Sequence, residues 1–415
     1  MNKAAKKTAT LTAVDIGSAK IKVLIADNLG DGSLSLCGFG EAPANGVREG
    51  LVVDIEKTAA ALGNALKEAE IMSNRKIGPV TVAVSGENIE GITAKGSSVI
   101  SDDTVSVSEV NKVLEMSRTE VPDQKNVRIL ATLERGYEID GQKGIMRPEG
   151  MTGRRLSGDV YLLFASHNAL ANMEKCILQA GAQVEGDFVF SALAAAESVL
   201  SEDEKDLGVC LVDIGASISE IVIFSQGTVR DACAIPIAGD DIRNDIAHMH
   251  HVSLEAAERA KCQIGVADGD GFIDLGDASG IGDNKVGRSV VCDTIIHRVD
   301  EILERVQQRI DNFTRDETHL SAGLVLVGDG ALLPGIVELA KKRGLMARLG
   351  KPRYRGEKHE IIASPRFAVG AGLLSLAAGR KEALSALSEA DVLTKIKRVL
   401  RRIFHDGEEN DKEKI

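Results

Sequence analysis

One short pattern occurs twice in this chain, and any fold must accommodate both copies. Thr12–Ile25 reads Thr-Ala-Val-Asp-Ile-Gly-Ser-Ala-Lys-Ile-Lys-Val-Leu-Ile, and Gly208–Phe224 reads Gly-Val-Cys-Leu-Val-Asp-Ile-Gly-Ala-Ser-Ile-Ser-Glu-Ile-Val-Ile-Phe. An apolar run that ends in Asp-Ile-Gly and resumes as alternating apolar residues predicts strand, tight turn and strand. Glycine permits the sharp turn, while N–H groups and serine hydroxyls offer donors to an anion. Asp15 and Asp213 end their strands and could hold a divalent metal through water. Two such hairpins predict two similar domains that face each other across a nucleotide.

Composition narrows the class of partner. The 415 residues include 50 Lys and Arg against 62 Asp and Glu, a net charge of -12, which argues against nucleic acid as the main partner. Tryptophan is absent and aromatic residues make up 3%, so stacking platforms for bases are not expected. The six cysteines form no CxxC pair, which favours buried free thiols in a reducing compartment. Because neither a signal-peptide core nor a bilayer-spanning apolar run is found, we expect a protein kept in the cytoplasm.

The segments around the hairpins divide the chain further. Residues 88–165 combine Gly-rich connectors with short alternating runs, which indicates a small inserted domain. Phe188–Leu200 and Phe367–Ala378 are predicted helices rich in small residues that could cross at a domain interface, although ordinary core helices explain them equally well. A long amphipathic helix is predicted at Cys292–Phe313. Leu324–Gly335 predicts a buried strand, a glycine turn and a helix start, where N–H groups suit an anion or a nucleotide face.

Residues 392–404 predict a basic amphipathic helix. Its apolar face contains Val392, Leu393, Ile396, Val399, Leu400, Ile403 and Phe404, and its other faces contain Lys395, Lys397, Arg398, Arg401 and Arg402. Such a helix suits an anionic membrane, where each basic residue contributes on the order of 1 kcal/mol. The polar run 378–391 predicts a tether, and docking of the helix on its own core or on a partner protein is the alternative. The acidic tail from Asp406 is expected to be disordered.

Taken together, these segments of the chain resemble the actin/Hsp70/sugar-kinase superfamily and, within it, the FtsA family of bacterial cell-division proteins. The superfamily resemblance rests on the two hairpins and the Gly328–Ala331 loop. The inserted segment Tyr137–Leu156, the approach to the second hairpin at Leu200–Gly215 and the basic terminal helix are similar to FtsA sequences. The resemblance covers roughly residues 10–404.

The resemblance implies an α/β fold: an actin-like two-domain fold, with duplicated ribonuclease-H-like cores and an inserted small α+β domain. The implied segments are a disordered N-terminus (1–10), a first core domain (11–87 and 166–206), the inserted FtsA-type domain (88–165), a second core domain (207–239 and 322–378), its subdomain (240–321), a linker (379–391), the membrane helix (392–404) and an acidic tail (405–415).

The resemblance also implies ATP and Mg²⁺ in the cleft between the two cores. By motif match, the nucleotide-binding residues are Asp15, Gly17, Ser18, Lys20, Asp213, Gly215, Ala216, Ser217, Gly239, Glu258, Lys261, Gly328, Asp329 and Gly330. Asp15 and Asp213 would hold Mg²⁺ through water. The implied membrane-binding residues are Leu393, Ile396, Lys397, Val399, Leu400, Arg401, Ile403 and Phe404.

The partners implied by the resemblance are FtsZ, further copies of the chain in filaments, later division proteins and an anionic membrane. Nucleic acid is not among them. The implied location is peripheral, on the cytoplasmic face of the plasma membrane at the division site. There the chain would tether the FtsZ ring to the membrane.

Three departures from the family pattern bear on catalysis and on the chain's end. Residues 213–218 read Asp-Ile-Gly-Ala-Ser-Ile where the family usually has Asp-Ile-Gly-Gly-Gly-Thr, Asp329 stands where Gly is usual, and an acidic tail follows Phe404. We therefore expect nucleotide binding with little or no hydrolysis, and no enzyme. The alternative from another class is an ATP-dependent kinase or phosphatase, for which Asp15 and Asp213 are the candidate carboxylates. A scaffold for pilus or shape proteins is a third possibility, against which the inserted sequence argues.

Overall fold

The computed structural model describes residues 9–29, 33–267, 269–276, 284–314, 319–353 and 362–387. The elements before the inserted segment are β1 (Ala9–Ile16), β2 (Lys20–Asn28), β3 (Leu34–Pro43), β4 (Val47–Arg48), β5 (Leu51–Val52), α1 (Ile55–Ser73) and β6 (Thr81–Val84). The inserted segment forms β7 (Ile89–Val99), α2 (Val107–Arg118), β8 (Val127–Ile139), β9 (Gln142–Ile145) and β10 (Arg155–Ser166). The chain then returns to the first core as α3 (His167–Gln179), β11 (Val189–Phe190) and α4 (Ser191–Val199).

The second half of the chain repeats this plan with its own additions. Its elements are α5 (Glu202–Leu207), β12 (Val209–Ile214), β13 (Ser219–Ser225), β14 (Thr228–Ile235), α6 (Gly239–His250), α7 (Leu254–Ile264), β15 (Phe272–Asp274), β16 (Lys285–Gly287), α8 (Arg288–Thr314), β17 (Gly323–Val327), α9 (Ile336–Lys342), β18 (Ala347–Leu349) and α10 (Ala368–Leu387).

The two core sheets have the same topology, which explains why the hairpin pattern occurs twice. Read from its β3 edge, the first sheet has the strand order β3-β2-β1-β6-β11. Read from its β14 edge, the second sheet has the matching order β14-β13-β12-β17-β18. In each sheet three strands form an antiparallel meander, β1 to β3 or β12 to β14. The other two strands are added parallel to the first strand of that meander. The predicted two-core α/β fold is thus present as a duplicated five-stranded unit.

Two helices rich in small residues, α4 and α10, cross between the two core sheets. α4 and α10 cross in close contact, and a Cβ added at Gly372 would lie 1.7 Å from the carbonyl oxygen of Ala194. Ala192 and Ala194 are fully buried at this crossing. Only glycine allows the two backbones to approach so closely. The crossing between the predicted small-residue helices is therefore observed.

The inserted segment forms its own sheet, with the order β7-β10-β8-β9 and α2 packed on it. α2 begins at a capping box in which Ser106 and Glu109 satisfy each other's backbone N–H groups. The sheet contacts the edge strand β14 of the second core through two side chains. Arg135 Nε donates to the Val229 carbonyl oxygen at 2.9 Å, and the Tyr161 hydroxyl accepts from Ala232 N at 2.9 Å. Arg128 on β8 pairs with Glu174 on α3 of the first core at 2.7 Å, so the inserted domain contacts both core domains.

Several boundaries differ from the predicted ones. α4 begins only at Ser191, because Val189 and Phe190 pair with β6 as β11. α8 begins at Arg288 and ends at Thr314. The largest correction concerns the predicted linker 379–391, because α10 continues as helix to Leu387. Ala and Leu favour helix in this stretch, and Arg380 donates to the Glu185 carbonyl oxygen.

The rest of the predicted linker, the membrane helix 392–404 and the acidic tail lie outside the described residues. So do residues 1–8 of the predicted N-terminal segment. Among the residues that are described, no helix is both long enough and apolar enough to cross a membrane.

Candidate functional site

A cavity of about 550 Å³ lies between the two core sheets. All the residues predicted to bind nucleotide line it: Asp15, Gly17, Ser18, Lys20, Asp213, Gly215, Ala216, Ser217, Gly239, Glu258, Lys261, Gly328, Asp329 and Gly330. They come from both hairpins, from the first turn of α6, from α7 and from the loop after β17. The structure therefore brings together, in one place, segments that are far apart in the chain.

The two hairpin turns have the same hydrogen-bond geometry. Gly17 N donates to the Lys20 carbonyl oxygen at 3.0 Å, and Gly215 N donates to the Ile218 carbonyl oxygen at 3.0 Å. A Cβ at Gly17 would lie 3.0 Å from that same Lys20 oxygen, and one at Gly215 would lie 2.8 Å from the Ile218 oxygen. The glycines are thus required by the close return of the chain, and each turn presents backbone and serine groups to the cavity.

Asp15 and Asp213 stand at the ends of β1 and β12, where they line the floor of the cavity. Burial raises the pKa of Asp15, although Lys22 opposes the rise. Burial and the charge of Asp15 raise the pKa of Asp213 to about 7. Burial and neighbouring negative charges therefore disfavour ionisation of both carboxyl groups, and a cation beside them would be stabilised.

Lys22 is a cation already present there, and it is not among the residues predicted from the sequence. Its burial opposes the charge, but Asp15, Asp329 and Asp213 together raise the pKa of Lys22 above its usual value. Its ammonium lies 2.6 Å from Asp329 Oδ2 and also donates to the Arg366 carbonyl oxygen at 3.1 Å. The signal was available, because Lys22 follows Lys20 by two residues on β2 and therefore shares its side of the sheet.

Lys22 belongs to a chain of alternating charges that crosses the cleft. Asp329 pairs with both Lys22 and Arg366, the latter at 3.2 Å. Arg366 also pairs with Glu41 on β3, and Glu41 pairs with Lys20 at 2.6 Å. Lys20, Lys22 and Glu41 belong to the first core, whereas Asp329 and Arg366 belong to the second. This chain, which we call the cleft ion chain, links the two cores beside the cavity.

The loop after β17 is packed on the end of β12. Gly328 has φ +88°, and a Cβ there would lie 2.3 Å from Asp213 Oδ1. A Cβ at Gly330 would lie 2.4 Å from the Ile214 Cγ2 atom. Glycine at these positions therefore leaves Asp213 and the backbone beside it accessible to the cavity, and any side chain at Gly328 would be both strained and obstructed.

The opposite wall is formed by the first turn of α6 and by the middle and last turn of α7. Gly239 N donates to the Gly215 carbonyl oxygen at 3.2 Å, so the first turn of α6 rests on the second hairpin turn. Lys261 Nζ donates to the Gly239 carbonyl oxygen at 3.1 Å and pairs with Glu258 at 2.7 Å. The Ser217 hydroxyl donates to Asp240 at 3.2 Å. A helix start combined with Lys261 suits an anion, although the Asp240 carboxylate already engages Ser217.

Glu220 is another cavity residue that is not among those predicted from the sequence. It lies beside Asp213 in the β12–β13 register, is 4% exposed, and its Oε1 atom has no hydrogen-bond partner. Burial, followed by the charges of Asp213 and Asp15, raises the pKa of Glu220 well above its usual value. The available signal was a single acidic residue in a strand whose other interior residues are all apolar. Among the described residues, no cluster of three or more side chains forms a ready metal site.

A duplicated sheet pair with a polar cleft between its halves defines the actin-like class of proteins. Solved structures share the fold: the PilM-PilN type IV pilus biogenesis complex matches with a TM-score of 0.65 and 18% identity, over 89% of this chain and 98% of that chain. MreB 5 of Spiroplasma citri bound to AMPPNP matches with a TM-score of 0.55 and 14% identity, over 93% and 100% of the two chains.

Sequence comparison gives the family. The model described as "Cell division protein FtsA" matches residues 210–372, and the model described as "SHS2 domain inserted in FTSA" matches residues 86–164. Cell division protein FtsA of Neisseria meningitidis is 33% identical over 88% of this chain and 90% of its own length. Its counterpart from Bacillus subtilis is 31% identical over 88% and 82%. The chain belongs to the FtsA family of cell division proteins.

Proposed function

We propose that this chain is an ATP-binding, polymerising adaptor that tethers the FtsZ ring to the cytoplasmic face of the plasma membrane and recruits later division proteins. The observation that carries the proposal is the assembly of every motif-matched residue around one cleft in a chain of the FtsA family. The cavity of about 550 Å³ is in the range of small-molecule and cofactor sites.

The residues of the cleft suit a nucleotide with its metal. The paired turns at Gly17 and Gly215 supply backbone donors for phosphates, and the glycine at position 328 leaves room beside Asp213. Asp15 and Asp213 are the oxygen ligands that Mg²⁺ prefers, and they would hold it through its water molecules. The bound ion would supply positive charge between two carboxylates that otherwise resist ionisation together. The solved MreB 5 structure with AMPPNP on the same fold is in accord with this assignment.

We propose little or no turnover of the bound nucleotide. The hydroxyl of Ser217 is engaged by Asp240, and Ile218 supplies no hydroxyl at the position where the family usually has Thr. Asp329 places a further negative charge at the cleft. The nucleotide would then act as a structural ligand that holds the two cores in one relative orientation, rather than as a substrate.

Membrane attachment is assigned to residues 392–404, through Leu393, Ile396, Lys397, Val399, Leu400, Arg401, Ile403 and Phe404. Co-sedimentation with anionic vesicles tests it, with the full chain compared with a chain truncated after Ala390. We expect the full chain to bind, the truncated chain to stay in the supernatant, and salt to weaken the binding. Equal sedimentation of the two chains would contradict the assignment.

A further inference from the structure

A second cavity, of about 390 Å³, lies where the inserted domain meets both core domains. We call it the junction cavity. Leu133 and Met146 come from the inserted domain, Phe188 and Leu193 from the first core, and Phe224 from the second core. Leu376 of α10 completes this largely apolar wall. No part of the nucleotide cleft lines it.

The walls of the junction cavity are held in place by polar contacts at its edge. Arg135 donates to the carbonyl oxygens of Val229 and Arg230, and its guanidinium lies 4.8 Å from the centre of the Tyr161 ring. The Tyr161 hydroxyl donates to Asp231 at 3.2 Å. An apolar cavity of this size is suited to receive apolar side chains from elsewhere.

The charges around the junction cavity favour a cationic occupant. Four carboxylates line it, those of Glu134, Glu149, Glu197 and Glu202, against the two cations Arg147 and Lys205. Lys205 is already paired, with Glu202 at 2.9 Å and with Glu197 at 3.5 Å. The cavity therefore combines an apolar interior with a net negative lining.

The segment 392–404 of the same chain has the complementary character, with apolar residues along one helical face and five basic residues on the others. α10, the last helix described before this segment, passes the cavity. Leu376 is part of the cavity wall, and Arg380, one helical turn later, holds the Glu185–Gly186 backbone just before Phe188. α10 ends at Leu387, about 16 Å along its axis from Leu376.

The length of chain beyond α10 permits a return to the cavity. Residues 388–391 span up to about 13 Å when extended, and a 13-residue helix is about 20 Å long. Together they cover more than the distance back along α10. Because the segment is tethered, its effective concentration at the cavity is in the millimolar range, above that of a free protein partner.

We infer that the junction cavity receives the apolar face of residues 392–404 of its own chain when no membrane is present. The same face cannot contact the cavity and a bilayer at once, so membrane attachment competes with docking. This competition rests on the proposed membrane role of the segment, whereas the docking itself does not.

The absence of tryptophan from the chain gives a direct test. In full-length Phe404→Trp the only indole reports its surroundings. We expect its emission in lipid-free buffer to be shifted to the blue relative to a peptide of residues 388–415 with the same change. The shift should be independent of protein concentration, and Leu400→Ala, which leaves every cavity residue intact, should reduce it. An emission maximum equal to that of the peptide overturns the inference. So does a shift that grows with protein concentration, because it would indicate docking between copies.

Charge reversal at the cavity separates docking from membrane binding. Glu149→Lys combined with Glu202→Lys should move the emission back to the red. It should also raise binding to phosphatidylglycerol-containing vesicles at limiting lipid on the order of tenfold, as expected for several exposed charge contacts. Arg147→Glu is the matched control and should retain the blue shift. If no form binds vesicles, the membrane role fails, and the emission in buffer still decides the docking. An unchanged emission in the double variant, with an unchanged urea midpoint, overturns the inference.

Discussion

The cleft ion chain predicts that Asp329 weakens nucleotide binding. Its carboxylate holds the Lys22 ammonium at 2.6 Å and the Arg366 guanidinium at 3.2 Å. Burial opposes ionisation of Asp329, but its interactions with Lys22, followed by the Arg366 charge, hold its pKa below the usual value, so it is negative at neutral pH. Replacing Asp329 with Asn would remove one negative charge from the cleft and the carboxylate partner of Lys22, while Arg366 would keep its pair with Glu41.

The expected magnitude follows from Coulomb's law. A unit charge acts on a phosphate charge ~8 Å away with about 2 kcal/mol at an effective dielectric constant of ~20. Because the Asp329 side chain is 44% exposed, solvent screening reduces this to about 1 kcal/mol. Asp329→Asn should therefore lower the Kd for Mg-ATP about fivefold.

Titration with a fluorescent ATP analogue measures this effect. Asp102→Asn, which removes the same charge from an exposed position that does not line the cleft, is the matched control and should leave Kd unchanged. The difference between the two variants should shrink as salt is raised. Unchanged or weaker binding by Asp329→Asn would refute the reasoning, because it would mean that the carboxylate supports the nucleotide rather than opposing it.

Three further expectations concern the cleft and the domain contacts. Gly328→Ala should abolish nucleotide binding and destabilise the fold more than Gly344→Ala, because both glycines have positive φ but only Gly328 meets atoms within 4 Å; thermal unfolding and ATP titration check this, and equal effects would count against it. Since the pKa of Asp213 is raised in the folded state to about 7, the unfolded chain loses its proton first, and the nucleotide-free protein should lose stability as pH rises from about 4 to about 7. In Asp213→Asn, the free energy of unfolding measured in urea should depend less on pH than in the unaltered protein. An identical slope of that free energy against pH would be inconsistent with a buried carboxylate at position 213. Tyr161→Phe should lower the free energy of unfolding by about 1 kcal/mol, as measured by urea denaturation. The change removes the hydrogen bond to Asp231 and leaves Ala232 N without its acceptor.

The hairpins and the cleft could be predicted because each hairpin is determined by residues that are adjacent in the sequence. A turn in which Gly215 N bonds to the Ile218 carbonyl oxygen needs glycine, and the pattern occurs twice. Once the two hairpins imply facing domains, the residues at their turns are expected at one cleft. The rest of the motif-matched set came from resemblance, and the structure places those residues at the same cavity.

The cleft ion chain could not be predicted because it depends on contacts between distant segments. Arg366 and Glu41 are separated by 325 positions in the chain, and neither belongs to a motif. The same limit explains the error in the predicted linker. Its polar residues suggested a tether, although its Ala and Leu residues favour helix. Arg380 and Lys381 contact the Glu185 region, which lies far away in the sequence, and such tertiary contacts stabilise the helix.

The proposed function requires that the chain link FtsZ to a membrane through residues 392–404. The most direct measurement is the fraction of purified FtsZ that sediments with phosphatidylglycerol-containing vesicles in the presence of Mg-ATP. We expect FtsZ in the pellet with the full chain, and in the supernatant with no adaptor or with the chain truncated after Ala390. If FtsZ sediments equally with the truncated chain, or remains in the supernatant while the full chain is bound to the vesicles, the tethering account is contradicted.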